Sequence, residues 1–209
     1  MGLRVCSAGF AIYSNSRHRS LTNIILLNGP GSVGKSSIAK ALQKIARQPY
    51  LHVEMDVFLE MMPEKYLNHP DGLNFEQYCE AGHILTKANS GRVAERVLSG
   101  MRTSIAALAD AGNNLIVDDV LFGNTKDGDE AAFSEYQRLL INHSLCVVGV
   151  FASLDVLEER ESARGDRMVG LSRWQVERVH VGMPYNLKVH TDDATPEQCA
   201  EHILRIHTS

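Results

Sequence analysis

The sequence has little with which to bind a polyanion, staple a fold or cross a membrane. Of its 209 residues, 21 are Lys or Arg and 25 are Asp or Glu, a formal charge of −4. Nonspecific nucleic-acid affinity needs many unopposed cations, so that function is not expected. The four cysteines (Cys6, Cys79, Cys146, Cys199) stand far apart with no CxxC pair. This spacing favours reduced thiols in a cytoplasmic protein over a disulfide framework or zinc site. The nine histidines contain no HExxH or HxH pairing. No apolar run approaches the roughly 20 residues of a membrane span. What remains is a chain with 44% apolar residues, long enough to bury a core without staples and too apolar to be mostly disordered. The length fits one domain of about 100–200 residues.

Residues 1–22 read as a flexible N-terminal extension, because the weakly apolar Gly9–Tyr13 gives way to the polar, basic Ser14–Ser20. From Asn23 the pattern is regular. Ile24–Leu27 is a short unbroken apolar run, as in a parallel strand buried on both faces. A glycine-rich turn follows, then Ile38, Ala41, Leu42 and Ile45 at helical spacing, stopped by Pro49. Leu51–Met55 reads as a second strand. Two longer helical patterns are expected next, one around Phe75–Asn89 and one through Val93, Val97, Met101, Ile105 and Leu108 that Gly112 closes. Asn114–Asp118, Leu145–Phe151 and Leu187–His190 read as three further strands. Helices are expected near Glu130–Ile141, from Ser153 or Asp155 to about Ala163, and from Thr195-Pro196-Glu197, an N-cap followed by Pro at N1. Strands alternating with helices imply an α/β fold, a five-stranded parallel sheet covered on both faces as a three-layer domain over 23–209.

Asn28 precedes Gly29-Pro30-Gly31-Ser32-Val33-Gly34-Lys35-Ser36, which fits G-x-x-x-x-G-K-[ST] between a strand and a helix. Glycines there let successive N–H groups turn inward, and the helix N-terminus adds partial positive charge. Lys35 suits β- and γ-phosphates and the Ser36 hydroxyl suits Mg²⁺, so that Gly29 to Ser37 are the expected nucleotide-binding residues. The same glycines also satisfy G-x-G-x-x-G, with Glu54 about 20 residues on as a ribose-binding acid would be. Lys35-Ser36 decides between the two, because a dinucleotide site does not need a cation and a hydroxyl directly after the third glycine.

A phosphate loop alone implies only a nucleoside triphosphate such as ATP. Three features narrow it. Leu115–Asp119 has the form of a Walker B strand, with Asp118 the candidate for Mg²⁺ and Asp119 on the opposite face. Asp56 follows the second strand, in the crevice the loop shares, where a carboxylate can take a hydroxyl's proton; it could equally be a helix N-cap. Arg160 and Arg164 are i, i+4 on one helical face, and Arg167 follows Gly165 on a loop. Arginines so arranged suit a lid, around 160–172, that spreads cationic charge over a transferring phosphoryl group and keeps water out. Asn124-Thr125-Lys126-Asp127 has Gly128 where a guanine-reading acid belongs. Transfer to a small-molecule hydroxyl is therefore favoured over a GTPase switch.

These residues resemble the chloramphenicol phosphotransferase-like family of small phosphate-loop kinases, in the nucleoside-monophosphate-kinase-like P-loop class. The resemblance covers most of residues 23–208. It rests on Ile-Leu-Leu-Asn-Gly before the loop, Gly-Lys-Ser, Asp56 with Met62-Pro63, Ile116–Val120, Val148-Gly149-Val150 and, above all, Arg160-Glu161-Ser162-Ala163-Arg164-Gly165-Asp166-Arg167. It implies ATP and Mg²⁺ as cofactors, Asp56 as catalytic base, a lid holding the arginines, and a primary hydroxyl of chloramphenicol as the named acceptor. Pro30-Gly31 departs from the serine-rich loop of the namesake. Tyr66, His69, Phe75, Tyr78 and Cys79 are expected to line the acceptor side. Phe58, Met61, Met62, Phe75 and Phe122 could form its apolar wall or belong to the core.

Overall fold

The computed structural model describes residues 21–123, 130–165 and 168–207. Arg167 of the expected lid, the Asn124–Asp127 string and all but the end of the expected extension lie outside the described residues. The chain runs β1 (Asn23–Asn28), α1 (Lys35–Ile45), β2 (Tyr50–Glu54), α2 (Met55–Glu60), a 3₁₀ turn (Glu64–Tyr66), β3 (Leu73–Glu80), β4 (His83–Ser90) and α3 (Arg92–Asp110). It continues through β5 (Asn114–Asp119), α4 (Glu130–Leu139), β6 (Ser144–Phe151), α5 (Leu154–Arg164), α6 (Leu171–Val176), β7 (Leu187–His190) and α7 (Pro196–His207). Among the described residues no helix is long and apolar enough to cross a membrane.

The five expected strands form one parallel sheet in the order β2-β5-β1-β6-β7. Alternation along β1 sorts the two cores. Ile25 and Leu27 pack with Ile38, Leu42 and the α7 residues Ala200 and Ile203, while Ile24 and Leu26 pack with Met101, Ile105, Phe133 and Tyr136 of α3 and α4. Burying each such side chain contributes about 1.5–3 kcal/mol, which is why an unbroken apolar run holds the sheet's centre. At the chain's last helix, Thr195 Oγ1 accepts from the Gln198 N–H at 3.3 Å and Gln198 Oε1 accepts from the Thr195 N–H at 2.8 Å, a capping box around Pro196.

The helix expected around Phe75–Asn89 is not there. Leu73–Glu80 and His83–Ser90 form an antiparallel hairpin, paired from Leu73↔Ser90 to Glu80↔His83. Ala81 and Gly82 make its two-residue turn with φ of 50° and 80°, the primed geometry that suits the twist of paired strands. The hairpin docks on the start of α6: the Thr86 N–H donates to Gly170 O at 3.1 Å, and Thr86 Oγ1 donates to Val169 O at 2.7 Å. A Cβ on Gly170 would lie 2.4 Å from the Ile84 carbonyl oxygen, and φ there is +86°. Glycine at 170 thus permits the approach.

Candidate active site

The loop after β1 sits at the carboxyl ends of the strands, where open α/β sheets form their crevices. Gly29 must be glycine because a Cβ would lie 2.5 Å from the Val150 carbonyl oxygen; Gly34 turns into α1 at φ +99°. No side chain caps the first amides of α1, and the Ser32 hydroxyl, inside the turn, is buried with no partner. Buried polar atoms are normally satisfied, so a loop of this kind is built for an anion that brings acceptors. Lys35 Nζ lies buried against the carbonyls of Gly29 (2.8 Å) and Pro30 (3.0 Å), 3.6 Å from Asp118 Oδ1.

At the second residue of α1, the Ser36 hydroxyl donates to Asp118 Oδ2 at 2.7 Å. Hydroxyl and carboxylate oxygens are the hard donors Mg²⁺ takes, so the residues fit that ion. Asp119 turns to the other face, accepting from the Tyr136 hydroxyl at 2.8 Å and the Val120 N–H at 2.7 Å. Burial there pushes its carboxyl above the usual range, against the pull of both hydrogen bonds. Glu54, the register partner of Asp118, ends β2. His52, Glu54 and Asp118 bring three potential ligand atoms within 4.8 Å of one another. His52 Nδ1 lies 3.5 Å from Glu54 Oε1, and burial lowers the imidazole's pKa.

Asp56 lies in the first turn of α2, whose N-cap position is Glu54; the alternative expectation of Asp56 as N-cap is corrected, because β2 passes into the helix two residues earlier. Lys35, Ser36, Asp56, Asp118, Arg160 and Arg164 line one cavity of about 520 Å³ with the loop residues Gly31–Ser37. Arg160 donates to Thr191 O (2.7 Å), Thr191 Oγ1 (2.9 Å) and Val33 O (3.4 Å), and Thr191 Oγ1 lies 2.9 Å from Val33 O. Its guanidinium therefore ties the end of β7 to the loop. Arg164 is exposed at the cavity, and Gly165, at φ 68°, ends α5 there.

The residues expected on the acceptor side stand outside this cavity. None of Phe58, Met61, Met62, Tyr66, His69, Phe75, Tyr78, Cys79 or Phe122 lines this cavity. Met62 packs on Leu59 and Ala94, and Phe122 meets Trp174 edge-on at 5.2 Å. The apolar lining beside Asp56 comes instead from Met55 and Val120. Gln175 and Thr191 also line the cavity without having been signalled by any motif, since they act by contact across the fold rather than by spacing.

Residues 22–208 match the family described as chloramphenicol phosphotransferase-like protein. A "putative O-phosphotransferase" of Mycobacterium tuberculosis H37Rv is 30% identical over 178 residues, which cover 83% of this chain and 76% of that one. The chain belongs to the chloramphenicol phosphotransferase-like family. A sugar kinase from Janibacter sp. HTCC2649 aligns with a TM-score of 0.59 at 18% identity, over 88% of this chain and 93% of that one. The Mycobacterium tuberculosis APS kinase solved with AMPPNP and APS gives 0.61 at 12% identity, over 90% and 99%. At those identities the two structures show the fold, that of P-loop kinases. Family and fold make this chloramphenicol phosphotransferase-like protein a small-molecule P-loop kinase, and the dinucleotide alternative falls away.

Proposed function

We propose that the chain is a cytoplasmic, ATP- and Mg²⁺-dependent O-phosphotransferase, with a hydroxyl of chloramphenicol as its leading candidate acceptor. One observation carries this reading: Lys35, the Ser36–Asp118 pair and Asp56 line the same cavity of about 520 Å³. Bound ATP would supply the phosphoryl group and Mg²⁺ would offset its charge. The loop amides of Ser32–Ser37 and the Ser32 hydroxyl would meet the phosphates, the Gly31 N–H being held by Gln175 and Pro30 having none, and Lys35 would neutralise their outer end. Ser36 and Asp118 would hold the metal. Asp56 aligns the acceptor hydroxyl and receives its proton at a carboxylate oxygen. Arg164, with Arg160 behind the loop, adds cationic charge, and Arg167 is the third cation that the sequence assigns to a lid around 160–172, so that most of the acceleration comes from positioning and electrostatics. The family description supports chloramphenicol as acceptor; a nucleoside, nucleotide sugar or shikimate-type hydroxyl is the competing acceptor class on the same machinery.

The test is an ADP-release screen with chloramphenicol and a panel of hydroxylated metabolites, using Asp56→Asn as blank. Release with chloramphenicol supports the full reading. Release with another hydroxyl alone replaces the acceptor, and ATP binding without turnover of any acceptor would make the protein a nucleotide-binding module.

A further inference from the structure

We propose that Gln175 is a contact for the terminal phosphate of ATP, a role that rests on the kinase reading of the cavity and adds a residue to it. Gln175 stands on α6, outside every motif, and is 7% exposed. Its Oε1 accepts from the Gly31 N–H at 2.6 Å. Because that backbone group can only donate, the carboxamide is fixed with its oxygen toward the loop, and its Nε2 carries two hydrogens pointing elsewhere. Among the described residues the bond to the Gly31 N–H is the only one the Gln175 side chain makes, and Gln175 lines the cavity with Lys35, Asp56 and Asp118.

The grip is built rather than incidental. Ser172, one turn earlier on α6, donates from its hydroxyl to Gly31 O at 3.3 Å, so α6 holds Gly31 at both its amide and its carbonyl. A Cβ on residue 31 would lie 3.2 Å from Gln175 Oε1. The glycine at 31, where the loop departs from the family's serine-rich form, leaves room for the amide. Backbone bonds from Trp174 N to Gly170 O (3.1 Å) and from Val179 N to Gln175 O (2.9 Å) hold Gln175 in helical register. Glu161 fastens the start of the same helix, accepting from the N–H groups of Gly170 and Ser172 at 2.8 Å each.

Position selects the terminal phosphate. Lys35 Nζ rests on the carbonyls of Gly29 and Pro30, immediately before Gly31, and this lysine is the group that reaches the β/γ end of a bound triphosphate. The Gly31 N–H at that end is already consumed by Gln175, so the donor it would have offered is handed on through the side-chain amide. A neutral donor there binds a triphosphate in preference to a diphosphate and stabilises charge on the transferring group.

Two variants separate this role from a structural one. Gln175→Glu keeps an acceptor for the Gly31 N–H but loses the donor and adds a negative charge; Gln175→Ala removes both. Calorimetry with ADP and AMPPNP on the intact chain measures the ratio of their affinities. The expected result is that Gln175→Glu lowers the AMPPNP-to-ADP affinity ratio by about tenfold or more, with a matching loss in the rate of ATP hydrolysis. An unchanged ratio in Gln175→Glu overturns the proposal, as does a parallel fall for both nucleotides in the two variants, which marks loop support alone. If the unsubstituted protein binds neither nucleotide, the kinase reading itself fails first.

Discussion

Asp118 and Asp119 are consecutive in β5, yet the first accepts the Ser36 hydroxyl at 2.7 Å and the second accepts the Tyr136 hydroxyl at 2.8 Å. Strand alternation sends one to the phosphate loop and the other into the core beneath α4. Asp118→Asn is expected to lower turnover by ~10²-fold, because an amide would hold the proposed Mg²⁺ less well and that ion would offset the phosphate charge. Asp119→Asn should retain turnover and shift stability by less than about 1.5 kcal/mol, since an amide can still accept from the Val120 N–H and donate to the Tyr136 oxygen. Steady-state kinetics and urea unfolding on the two variants check the contrast; equal losses of turnover would contradict it.

Asp56 gives a cleaner split between binding and chemistry. It lines the cavity from α2 rather than from the loop, so Asp56→Asn should leave nucleotide affinity near the unsubstituted value while turnover falls ~10²-fold or more. Nucleotide titration beside an ADP-release assay measures both. Turnover that survives the substitution removes the base assignment.

The loop's glycines and a helical glycine should respond to alanine with opposite signs. Gly34 sits at φ +99°, so Gly34→Ala is expected to cost about 1–3 kcal/mol and weaken nucleotide binding. Gly100 lies inside α3, and a Cβ there would meet nothing within 4 Å. Gly100→Ala should stabilise by roughly 0.5–1 kcal/mol, because alanine loses less backbone freedom in a helix. Denaturant midpoints of the two variants, moving apart around the parent, are the expected pattern.

The parts of the fold that sequence revealed are those where neighbours in the chain carry the signal. The sheet strands are short apolar runs; the loop is a fixed spacing; the α7 start is Thr195, Pro196 and Gln198 in sequence. Alternation alone placed Asp118 and Asp119 on opposite faces, but which of them meets the loop is seen only in their partners, Ser36 and Tyr136. The hairpin was hidden because β3 lies half exposed, its polarity alternating only over Leu73–Glu76 and its burial not at all, and because Ala81 stands where Asn or Asp usually announces the turn. Gln175, Thr191 and Ser172 were invisible for another reason: each meets the loop from over 100 residues away. Arg160 was singled out in the sequence as a candidate lid cation, but its bonds to Thr191 and Val33, which fasten the loop, exist only in three dimensions.

His180 should make the fold sensitive to mild acid. Its ring stacks on Phe151 at a centroid distance of 3.7 Å, and its Nδ1 lies 2.7 Å from the Tyr185 hydroxyl. Burial, helped by the charges of Lys188, Lys35 and His190, lowers its pKa from 6.5 to about 4. The unfolded chain therefore takes up a proton near pH 6.5 that the folded chain refuses until about pH 4. By linkage, the stability that neutral His180 contributes is intact above 6.5 and is lost as pH falls toward 4. Burial lowers His52 and His207 too, so they act in the same direction. His180→Phe keeps an aromatic ring on Phe151 but cannot be protonated. Melting temperatures at about pH 7.5 and about pH 5 should fall less steeply in this variant than in the parent, and an identical drop in both would assign the acid sensitivity to other groups.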